Sequence, residues 1–74
     1  MIDEPFQLAA ALKAVTDRTP MITRGVVNAT KSSKALSWRK HEFDIAVSQT
    51  RALLDDLMLH QVALGWRDSK DDAA

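Results

Sequence analysis

The first residues to consider as chemical groups are the histidines and their neighbouring carboxylates. His41 and Asp44 stand three apart, and Asp56 and His60 stand four apart. Those spacings put an imidazole and a carboxylate on one face of a helix, where either pair offers two ligands to a metal. Both histidines, however, fall in what reads as a single continuous helix. At ~1.5 Å per residue that separates them by roughly 28 Å, so one copy cannot bring both to one ion. The pairs read more simply as helix-surface ion pairs. Nucleophilic chemistry has no better basis. Ser32, Ser33, Ser37, Ser48 and Ser69 sit in no catalytic motif, and the chain has no Cys. Asp55 and Asp56 adjoin in sequence but point about 100° apart round a helix, so they form no facing carboxylate pair. Gly25 and Gly65 are the only glycines and lie far apart, which excludes a glycine-rich phosphate loop. The sequence therefore predicts a non-enzymatic protein with no cofactor and no metal.

The elements that would carry any site are helices. Glu4 to about Thr16 is the first, with Asp3 as its cap and Pro5 tolerated in the first turn, where its missing N–H has no intrahelical partner. Leu8, Ala11, Leu12 and Val15 recur at helical spacing and make one face, and Phe6 falls off it. Thr16-Asp17-Arg18-Thr19-Pro20 reads as the stop. Thr19-Pro20 also reads as a start, giving a short second helix over 20–29, although Gly25, Val26, Val27 and Asn28 are poor helix residues. A loop is the alternative for that stretch. The small, polar run 29–34 reads as a flexible basic connector.

The strongest signal is a helix over 37–64, capped by Ser37 and stopped by Gly65. One wide stripe holds Phe43, Ala46, Val47, Thr50, Leu53 and Leu54, and continues through Leu57, Met58, Gln61 and Leu64. It is the face expected to pack on the first helix. A thinner row opposite, of Ile45, Ala52, Leu59, Ala63 and Trp66, has no use in a helix packed on one side only. It predicts a second contact, with another copy or a larger protein, unless Phe6 or Met21-Ile22 wraps round to cover it. The fold class is thus all-α, one small domain over 1–67 with a long C-terminal helix packed on a shorter N-terminal one. Residues 68–74 form an acidic tail expected to be disordered.

Charge adds a direction. The 74 residues carry ten Lys+Arg against ten Asp+Glu. Residues 1–40 hold seven basic and three acidic side chains, a net +4, and residues 41–74 hold three and seven, a net −4. Such polarity suits a basic surface for an acidic partner, or attraction between the two halves. Arg18, Arg24, Lys31, Lys34, Arg39 and Lys40 are interleaved with Thr and Ser, a composition that contacts phosphates, and Trp38 beside Arg39-Lys40 suits a base stack or a protein pocket. Trp38 also fits as a staple at the start of the long helix. Trp66-Arg67 is a second aromatic–Arg pair.

No apolar run approaches the roughly 20 residues that cross a bilayer, and the acidic start is unlike a secretory leader. The expectation is a cytoplasmic protein with no membrane contact. A chain this short gains only a few kcal/mol from one core, and oligomerisation or binding is the usual supplement. Three functions follow. The first is a protein-binding regulator using Arg24, Lys31, Lys34, Trp38, Arg39, Lys40, Leu59 and Trp66. The second is a small nucleic-acid-binding protein that uses the basic 18–40 stretch, with a homodimer through the long helix as one form. The third is a helical assembly protein that oligomerises along the Ile45–Trp66 row.

The Cys-free length, the Lys31-Ser32-Ser33-Lys34 connector, the Trp38-Arg39-Lys40 cluster and the Leu53–Leu64 helix leading to an Asp68–Asp72 tail resemble, in type, small bacteriophage-encoded proteins. Those proteins bind host machinery, bacterial RNA polymerase in particular. The resemblance implies docking on large polymerase subunits in the host cell and modulation or inhibition of transcription. It assigns no role to any single residue.

Overall fold

The computed structural model describes residues 4–67. The Asp3 cap and the acidic tail over 68–74 lie outside the described residues. Two helices, α1 (Glu4–Ala29) and α2 (Leu36–Ala63), run antiparallel as a hairpin. The all-α class and the packing of the long C-terminal helix on the N-terminal one are as the periodicity predicts. The boundaries differ. α1 is one helix of 26 residues, nearly as long as the 28 of α2, and it runs through Pro20 without a break. The expected stop at 16–20 and the separate helix over 20–29 are therefore one element. Proline within a helix deletes one backbone bond and costs about 3 kcal/mol. Here Pro20 and Thr16 are both exposed, so water reaches the Thr16 carbonyl that loses its donor. Beyond the proline, the packing of α1 along α2 holds the remaining turns.

The connector is built of hydrogen-bonded turns. The Thr30 N–H donates to the Val27 carbonyl at 3.0 Å, that of Lys31 to Asn28 at 3.2 Å and that of Lys34 to Lys31 at 3.0 Å. These turns end at Ala35, in an extended conformation with φ −59° and ψ 142°. Ala35, not Ser37, occupies the N-cap, and no side chain caps the helix; Ser37 is already inside it. At the other end the expected stop is in place. Gly65 has φ 76°. Its N–H donates to the Val62 carbonyl at 3.0 Å while the Trp66 N–H reaches back to Gln61 at 2.9 Å. This double bond pattern is the left-handed glycine cap that satisfies the last carbonyls of a helix.

The helices meet most closely where both are small. A Cβ built on Gly25 would lie 2.5 Å from the Glu42 carbonyl oxygen and 2.9 Å from the Ala46 Cβ. Gly25 and Ala46 are buried, and this crossing sets the spacing of the pair. Polar contacts flank it. Arg18 donates to Gln49 Oε1 at 2.9 Å and pairs with Asp56 at 3.1 Å. The Asn28 amide donates to Glu42 at 2.7 Å.

A hairpin has two faces and no interior. The Cα trace measures 53 × 29 × 10 Å. Among the described residues only Ala46 and Leu64 are buried hydrophobics, at 3% and 5% exposure. The wide stripe of α2 therefore splits. Ala46 and Leu64 pack inward, Leu53, Leu57 and Met58 are half-buried, and Phe43, Val47, Thr50, Leu54 and Gln61 stay exposed. One helix is too narrow to cover an apolar arc that wide. No helix among the described residues is long and apolar enough to cross a membrane.

Candidate functional site

The two faces differ in chemistry because each helix presents a different side to each. On the first face Ile22 and Val26 of α1 meet Phe43, Val47, Thr50 and Leu54 of α2 across a groove of roughly 330 Å³, floored by Ala46. Its walls are hydrocarbon apart from Thr50 and Arg51. Phe43 and Val47 are each 47% exposed. The same face continues down α1 through Leu8, Leu12 and Val15 by helical spacing. Two threonines sit on it. The Thr50 hydroxyl donates to the Ala46 carbonyl at 2.7 Å, and the Thr19 hydroxyl to the Val15 carbonyl at 2.6 Å. Both hydroxyls are satisfied within their own helix, so each threonine can be covered without stranding a donor.

The second face is polar toward the open end of the hairpin. Ala10, Lys13, Ala14, Asp17, Met21 and His60 surround the Arg18–Asp56 pair. The Lys13 ammonium donates to Asp17 at 2.7 Å. That hydrogen bond, with the negative charge of Asp17, holds Lys13 above its ordinary pKa. His60 Nδ1 lies 2.7 Å from Gln7 Oε1, an oxygen that only accepts, so the ring donates there. Asp56 thus pairs with Arg18 rather than with His60, the partner its spacing suggests. Among the described residues no three His, Cys, Asp or Glu side chains gather in a group able to hold a metal.

The residues singled out from the sequence do not form one patch. Trp38, Arg39 and Lys40 are consecutive on a helix and so point in three directions. Trp38 is exposed beside the connector, with the Lys34 ammonium 5.9 Å from its ring centroid. Arg39 turns inward, and its Nε donates to the Ala29 carbonyl at 2.9 Å, tying α2 to the last turn of α1. Lys40 lies on the apolar-groove side, around a hollow shared with Ala29, Leu36 and Phe43. Lys31 and Lys34 are exposed in the connector. Arg24 is exposed on α1, beside Met21, Gly25, Glu42 and Ile45. Met21 stands beside Ile45 at one end of the second apolar row, and Ile45 is still 37% exposed. The other end of the row stays open, with Leu59 at 67% and Trp66 at 59% exposure.

The structure brings together at the closed end of the hairpin Lys31, Lys34 and Trp38, with Arg24 behind them. Leu59 and Trp66 lie at the open end. Sequence reasoning misses the apolar groove as a surface, because the wide stripe of α2 places its residues in the interior. The signal that identifies it is in the spacing. Leu8, Leu12, Val15, Thr19, Ile22 and Val26 alternate steps of four and three, and so do Phe43, Val47, Thr50, Leu54, Leu57 and Gln61. That heptad rhythm marks a seam that packs helix on helix. Among known proteins, no family, curated protein or solved structure matches the chain.

Proposed function

We propose that the chain is a non-enzymatic regulator that acts by binding a larger protein, with the closed end of the hairpin as its contact. The observation that carries this reading is the joint exposure of Lys31 and Lys34 in the connector and of Trp38 in the first turn of α2. No ion pair holds either lysine among the described residues. An aromatic ring flanked by unpaired cations suits an acidic protein surface with a pocket for the indole, since Trp and Arg anchors dominate binding energy. Arg24 extends the basic area, and Leu59 and Trp66 supply a second, apolar contact at the far end. Arg39 serves by holding the turn in place. Bacterial RNA polymerase, the target that the resemblance implies, is the first candidate partner, and docking there would modulate or inhibit transcription.

The test is a pull-down with the tagged full chain from nuclease-treated bacterial lysate at about 0.15 M salt, read by mass spectrometry. The expected result is recovery of one large complex, polymerase subunits foremost, by the native sequence. A Lys31→Glu, Lys34→Glu double variant should lose it while keeping its helix content. Nucleic acid recovered before nuclease and nothing after it would replace this reading with phosphate binding by the 18–40 stretch.

A further inference from the structure

The groove face lies apart from that contact, and its charges point to a different occupant. We infer that it binds a second copy of this chain, the two hairpins stacking face to face as an antiparallel four-helix bundle with a two-fold axis across the helices. Two observations place the axis within a residue of each other on α2, and a third sets its direction. The first is the rim of α2 beside the groove, which carries Lys40, Asp44, Arg51 and Asp55 in that order, all exposed. A two-fold placed between Val47 and Ser48 reverses one helix against the other. It sets Asp44 opposite Arg51 of the second copy and Lys40 opposite Asp55 of the second copy, so each acid meets a base, four pairs in all.

The second observation is register. Antiparallel heptads pack in alternating layers. The apolar layers centre one residue further along α2, between Ser48 and Gln49, where Val47 faces Thr50 of the second copy and Phe43 faces Leu54 of the second copy. On α1 the equivalent layers are Thr19 with Ile22 and Val15 with Val26. The Arg18–Gln49 and Gly25–Ala46 contacts bracket the level at which α1 stands against α2. Between them, the midpoint of Thr19–Ile22 is level with the midpoint of Val47–Thr50. One axis therefore serves both helices. The two threonines nearest it have already satisfied their hydroxyls on their own backbones.

The third observation is the polarity of the hairpin. Arg24, Lys31, Lys34, Arg39 and Lys40 gather toward the closed end against Glu42 and Asp44, while bases and acids balance toward the open end of the described residues. The antiparallel arrangement keeps the two basic ends apart. Stacking with both closed ends together, the other two-fold choice, would crowd like charges and lose the Asp44–Arg51 match.

Sedimentation equilibrium of the full chain over a range of concentrations, at about 0.15 M salt, tests this directly. The native sequence should sediment as a dimer. Arg51→Asp should weaken association about tenfold by placing it opposite Asp44 of the second copy, with helix content retained because the position is exposed. Adding Asp44→Arg should restore the native affinity, since the swapped pair faces itself again across the axis. A helical monomer at every soluble concentration, a trimer or larger assembly, or a dimer in which the double variant is no tighter than Arg51→Asp would overturn the inference. Neither position belongs to the proposed partner contact, so loss of the dimer and loss of the pull-down are separate results.

Discussion

Gly25 carries more of the fold than its size suggests. In an exposed helix, replacing glycine by alanine gains about 1 kcal/mol of propensity. Here the new methyl would sit 2.5 Å from a backbone oxygen of α2, which cannot move without moving the helix. Gly25→Ala should therefore destabilise the hairpin by about 1–3 kcal/mol, the usual cost of overpacking. Thermal unfolding by circular dichroism decides the sign, and a raised melting temperature would mean that the helices do not approach at this point. In the sequence Gly25 reads as a weak helix residue, because propensity is a local property and a close crossing is not. The same limit applies to Arg39. Its neighbours Trp38 and Lys40 suggest a binding cluster, yet a helix turns consecutive residues to different sides, and Arg39 faces the Ala29 carbonyl. Lys31, Lys34 and Trp38 keep their exposure because the turn holds them outward.

The helices show which sequence signals survive folding. Gly65 is legible as a stop because its positive φ is a local requirement that glycine meets at little cost. The α2 span is legible to within a residue, since its periodicity is long. Thr19-Pro20 misleads, because a capping threonine before a proline favours a helix start in isolation, whereas in the hairpin both residues lie on a helix already held by its neighbour. Pro20→Ala should consequently stabilise the chain, by up to about 3 kcal/mol, without altering its shape. Chemical denaturation measures this as a higher midpoint at unchanged slope, and a changed slope would mean that the proline shapes the native state. The apolar arc of α2 was legible as a face but not as two. Periodicity says which residues share a side, and only the crossing at Ala46 says which of them the neighbouring helix reaches.

At the scale of the whole molecule, the hairpin exposes apolar side chains on both faces and buries few. Chains this small rarely hold together on one core. Its melting temperature should therefore rise with protein concentration, by mass action between copies. A dilution series over two decades checks this, and a constant melting temperature would mean that the single hairpin is stable alone. The polarised charge visible in the sequence becomes a lengthwise polarity, because an antiparallel pair places the basic middle of the chain at one end.

Thickness has a consequence of its own. The plate is one helix deep, 10 Å along its short axis, so every peptide group lies within one side chain of water. A lone copy hides little of its backbone by burial, so its protection from solvent deuterium or a protease rests on its helix hydrogen bonds alone. Its survival among cellular proteases then follows the fraction of time its faces are covered. Copies made in excess of what covers them would be cleared first.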